Sequence, residues 1–99
     1  MRIFYRVVSE AELADIARSG RLRHGPNSVE GKHLVGDVGS AKKMARLLYP
    51  DGGYRIIEVV VADELSRRFF AFADLDRCGP AWFAEIDDLV DAVVREVTI

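Results

Sequence analysis

Three scarcities bound this 99-residue chain. It has one cysteine, Cys78, so it closes no intrachain disulfide and builds no zinc knuckle. No base stands in a motif beside Cys78, which reads as a small loop thiol. Long apolar runs are missing too. No window approaches the roughly 18 residues of a membrane span. The start, Met1-Arg2-Ile3-Phe4-Tyr5-Arg6, has no apolar core of signal-peptide length. These features point to the cytoplasm and away from a membrane. Nor is one charge sign in excess. Fourteen Lys and Arg face sixteen Asp and Glu, for a net charge of −2 and a pI near 5.6. A binder of nucleic-acid backbones needs a basic face, so nucleic acid is not the expected partner.

Standard catalytic signatures are also missing. There is no dinucleotide Gly-x-Gly-x-x-Gly, and Gly31-Lys32 is followed by His33 rather than Ser or Thr. No nucleophile elbow or His-Glu-x-x-His occurs. The two histidines, His24 and His33, are nine residues apart with no carboxylate at ligand spacing, so no metal is expected.

What remains is an ordinary globular balance, 49% hydrophobic and 30% charged. The length fits one domain, residues 1–99. Residues 2–8 predict a strand with Arg2 and Arg6 on one face. Ser9-Glu10-Ala11-Glu12 fits a capping box, opening a helix over about 10–19 that Gly20 stops. Gly25-Pro26-Asn27-Ser28 is a turn cluster before a short strand at 32–36. Gly36-Asp37-Val38-Gly39 reads as a plain turn, and Gly39-Ser40 opens a second helix, ended by Pro50-Asp51-Gly52-Gly53. Ile56, Ile57, Val59, Val60 and Val61 predict a central strand. Shorter strands follow near 69–72, 81–85 and 93–99. Helices come early and strands accumulate late, which is an α+β pattern with two short helices.

The order and spacing of several segments resemble the ADP-ribosyltransferase-like fold of bacterial mono-ADP-ribosyltransferase toxins and RNA 2′-phosphotransferases. The pieces are Phe4-Tyr5-Arg6-Val7-Val8-Ser9, Ile16 to Gly20, and Asn27-Ser28-Val29-Glu30-Gly31-Lys32-His33-Leu34. Ser40 to Tyr49, Tyr54 to Val61 and Gly79 to Glu85 complete the series. The resemblance implies a split β-sheet and NAD as a substrate, with cleavage of its nicotinamide–ribose bond by transfer or hydrolysis.

It also implies roles. Arg6 matches a first-strand cation that holds ribose and phosphate, which suits a bidentate guanidinium fork. His33 stands where an aromatic residue stacks on nicotinamide. Glu85 matches a late-strand carboxylate that favours the oxocarbenium-like transition state electrostatically. Asn27, Ser28 and Lys32 would rim the cleft and bind phosphate. Arg6 and Glu85 are therefore the catalytic candidates, and Arg6, Asn27, Ser28, Lys32 and His33 the cofactor-binding ones. Position 83 is Phe, where protein-modifying members often carry Gln or Glu, which favours another acceptor or hydrolysis.

Two other readings stand beside this one. A non-catalytic module of the same fold would keep only a nucleotide cleft. A protein-interaction domain, half of a toxin–antitoxin or toxin–immunity pair, would offer a basic partner the acidic residues Asp74, Asp76, Asp87, Asp88 and Asp91, while basic residues concentrate over 18–46.

Overall fold

The computed structural model describes residues 1–23, 31–75 and 77–98. In chain order they form β1 (Arg2–Ser9), α1 (Glu10–Ser19), β2 (Gly31–Val35), α2 (Val38–Leu48), β3 (Tyr54–Val61), α3 (Asp63–Ser66), β4 (Phe70–Phe72), β5 (Ala81–Glu85), a 3₁₀ turn (Ile86–Leu89) and β6 (Val93–Val97). The strands make one antiparallel sheet in the order β4-β5-β2-β1-β3-β6. The class is α+β, as the succession of elements predicts.

α1 forms where its caps dictate. The Ser9 hydroxyl accepts from the Glu12 N–H at 3.1 Å, and Gly20 closes the helix at φ 76° with its N–H on the Ile16 carbonyl. Only half of the predicted capping box is built, because the Glu12 carboxylate turns to Arg6 instead of back to the N-cap. α2 starts earlier than Gly39-Ser40 suggests. Asp37 is its N-cap and accepts from the Ser40 N–H at 2.6 Å, so the apparent plain turn carries the cap.

Alternation along the strands gives the sheet two apolar faces. Phe4 and Val8 of β1, Leu34 of β2, Ile57, Val59 and Val61 of β3 and Ala84 of β5 face α1 through Ile16. Val7, Val35, Ile56 and Ala81 face α2 through Ala41, Met44 and Ala45. β3 lies between β1 and β6 and is covered on both faces, as its β-branched run predicts. β4 and β6 are the two edges.

The sheet has a narrow seam. β1 pairs with β3 over its whole length, from Arg2–Val61 to Ser9–Tyr54, but meets β2 only at Tyr5–Val35. Past that pair β1 and β2 diverge. The sheet is two three-stranded halves, β4-β5-β2 and β1-β3-β6, joined at their middle.

Candidate functional site

The seam is filled by an ion cluster on the α1 face. Arg6 shares that face with Phe4 and Val8 by the alternation of β1. Its Nε donates to Glu12 Oε2 at 2.9 Å and its Nη2 to Glu12 Oε1 at 3.1 Å, a bidentate fork. Its Nη1 donates to the His33 carbonyl at 3.0 Å, standing in for the missing β1–β2 ladder bond. Lys32 comes from β2 on the same face, with Nζ 3.6 Å from Glu12 Oε2 and a side chain only 7% exposed. Burial works to raise the Glu12 carboxyl, but the Arg6 hydrogen bonds and charge, with help from Lys32, outweigh it and hold its pKa below the ordinary value. Burial pushes the Lys32 amine down, against the pull of Glu12. One carboxylate thus faces two cations, and the cluster ties α1, β1 and β2 together.

The opposite face carries a cleft. It holds about 340 Å³ and is lined chiefly by Tyr5, Arg6 and Val7 of β1, His33 and Val35 of β2, Met44 of α2 and Tyr49. That size is at the lower end of small-molecule sites, about 300–1,000 Å³. Its walls are apolar and aromatic because α2 presents Met44 and Tyr49 to the strand face that alternation gives to Tyr5 and Val7.

Register extends this face across the sheet. His33 pairs with Phe83, and Phe83 with Phe70, in one cross-strand row. The adjacent row is Tyr5–Val35–Ala81–Phe72. On the other side, Glu85 pairs with Gly31. Glu85 is exposed and shares its face with Phe83, about 7 Å along the strand. The Phe83 ring lies over Gly31, where a Cβ would sit 2.6 Å from Phe83 Cζ and closer still to the Ala84 carbonyl.

The candidates therefore divide. His33 and Glu85 share the α2 face, on neighbouring strands and one row apart. Arg6 and Lys32 are brought together on the α1 face, with Glu12 between them. Lys32 is kept from the cleft by the sheet, whereas Arg6 stands at the seam and also lines the cleft beside Tyr5 and His33. Asn27 and Ser28 lie outside the described residues. Tyr5 and Tyr49 line the cleft without standing out in sequence. Tyr5 was legible only as the neighbour of Arg6, since a one-residue step flips the face. Tyr49 follows a helix end and has no period to mark it. Glu12 looked like a capping residue, and its pairing with Arg6 spans a strand-to-helix corner that no helical spacing signals.

Among the described residues no group of three His, Cys, Asp or Glu is placed to hold a metal ion. No helix among them is long and apolar enough to cross a membrane. No family model, curated protein or solved structure matches this chain.

Proposed function

We propose that the α2-face cleft binds NAD and that the domain cleaves the nicotinamide–ribose bond in the manner of ADP-ribosyltransferase-like enzymes. One observation carries the reading: a cleft of ring size lined by Tyr5, Arg6 and His33 opens on the face of the sheet that also carries the carboxylate of Glu85, one row beyond His33. The order of elements on which the resemblance rests supports it as well, from the strand bearing Tyr5-Arg6 to the late strand bearing Glu85.

In this reading the nicotinamide ring enters the cleft against His33 and Tyr5. As the C1′–N1 bond breaks, nicotinamide leaves with the bonding pair and positive charge develops on the ribose. Glu85 stabilises that charge, and an acceptor hydroxyl or water adds to C1′ and releases a proton. Arg6 is a positioning residue here. Its guanidinium holds the His33 backbone carbonyl and borders the cleft. A cytoplasmic setting belongs to the same proposal, since a lone cysteine asks for no oxidising compartment.

Incubation of the purified protein with NAD is expected to release nicotinamide. Glu85→Ala lowers the rate about 100-fold or more, the scale of losing one electrostatic stabiliser, with nucleotide affinity little changed. Equal rates for the two proteins, or no release from either, overturns the catalytic reading.

A further inference from the structure

The cleft continues into a row of rings. His33 and Phe83 stand 5.1 Å apart edge to face, His33 and Phe72 6.0 Å apart, and Phe70 and Phe72 5.0 Å apart. The register puts all four on the α2 face: Phe70 opposite Phe83, Phe83 opposite His33, and Phe72 opposite Ala81 in the next row. Ala81 is small, so the ground between Phe72 and Val35 is low. The outermost ring, Phe70, is 65% exposed and sits on the edge strand β4. Burial in a core does not explain it.

We infer that Phe70 and Phe72 form a stacking platform for the adenine ring of the dinucleotide, next to the cleft that takes the other ring. The inference rests on the proposed function for the identity of that dinucleotide. A dinucleotide carries two planar rings on one chain, and this face offers two ring sites joined by His33. The more sheltered site, walled on one side by α2, suits the ring whose bond breaks, because water is partly kept from it. The open site needs only a π-face, and base-on-aromatic stacking supplies its affinity without shape-specific walls.

Size and charge select the occupant. The platform spans two strand spacings, about 10 Å. A stable protein interface needs roughly 800 Å² from each partner, far more than this strip provides. Asp74 and Glu85 flank it in sequence and the chain is net negative, which disfavours a polynucleotide. A single base of a small nucleotide fits the strip, and its one or two phosphates bring far less negative charge than a polynucleotide backbone.

The test separates the two ring sites. AMP and nicotinamide mononucleotide are titrated by calorimetry into the full chain, and into Phe70→Ala and Phe72→Leu. Phe70→Ala removes an exposed ring and keeps the fold, which circular dichroism checks. AMP is expected to bind the wild type, and Phe70→Ala to weaken it about 5- to 150-fold, the range of one stacked base. Phe72→Leu weakens it in the same direction. Nicotinamide mononucleotide binds all three alike. No AMP binding to the wild type, or unchanged AMP binding in Phe70→Ala, overturns the inference. So does an effect of Phe70→Ala confined to self-association, read by sedimentation, which would make the strip a contact between copies. AMP binding that needs Phe70, with no binding of nicotinamide mononucleotide and no nicotinamide release, keeps the platform and removes the proposed function.

Discussion

At the scale of single residues, Glu12 decides more than its place in a helical first turn suggests. It is the only carboxylate contacting both Arg6 and Lys32 among the described ion pairs. Their side chains are 17% and 7% exposed, so water does little to screen them if it goes. Glu12→Ala leaves two neighbouring cations without a counter-charge. We expect a loss of about 2–4 kcal/mol in urea unfolding, somewhat below a fully buried pair because Arg6 keeps some water. Adding Lys32→Met should restore part of the loss, since an apolar chain of similar length needs no counter-charge. A double variant no more stable than Glu12→Ala would show that repulsion is not the cause. The same cluster has a pH signature. The folded-state pKa of Glu12 lies below its ordinary 4.5, so its contribution is present above that pH and is lost as pH falls through the lowered value. Lys32 also has a lowered pKa. The unfolded chain then holds more protons than the folded one just below the ordinary value of 10.5, and that group adds stability as pH rises there. Stability measured from pH 7 down to 3 should fall less steeply in Glu12→Ala than in the wild type.

At the scale of elements, the fold depends on how β2 is held. It touches β1 at one register pair but lies along β5 from Gly31–Glu85 to Val35–Ala81. Gly31 permits that pairing at its end, where the Phe83 ring and the Ala84 carbonyl occupy the space of a side chain. The obstruction includes backbone, which cannot rotate away. Gly31→Ala is therefore expected to cost about 2–3 kcal/mol, an overpacking cost, and to weaken nucleotide binding through the displaced His33. Unchanged stability together with unchanged binding would show that β2 and β5 part there freely. The bounds of α1 and the covered strand β3 were legible because local chemistry writes them, whereas the start of α2 was hidden in an apparent turn. Ser9 and Gly20 frame α1, and the β-branched run of 56–61 reads as a covered strand in any context. The site was legible only in part. Sequence placed Arg6, His33 and Glu85 on the right strands, but the face each presents depends on register, and register is set by partners distant in the chain. Arg6 reads in sequence as a free cation because its partner Glu12 is committed to it only once β1 and α1 fold against each other, and it borders the cleft with that partner in place.

At the scale of the whole molecule, the proposed ligand lies across both halves of the divided sheet. The cleft takes Tyr5 and Val7 from one half and His33 and Val35 from the other, and the platform reaches the far edge at β4. A ligand seated there binds only the folded chain and stabilises it by mass action. At ten times its dissociation constant this is about 1.4 kcal/mol, which in a domain of this size raises Tm by about 6–11 °C. ADP-ribose is the informative ligand, because it carries the adenine and both riboses but has no bond left to cleave. In the proposed reaction Glu85 acts on charge that develops only during cleavage, so Glu85→Ala should show nearly the full shift with ADP-ribose. Phe70→Ala should show a clearly smaller one at the same concentration, since the ring it removes contacts the bound nucleotide itself. Both variants change exposed side chains, so their Tm values without ligand should stay close to that of the wild type. Equal shifts in all three proteins would place the nucleotide elsewhere on the molecule, and no shift at millimolar ADP-ribose would leave the divided sheet without a nucleotide to bridge it.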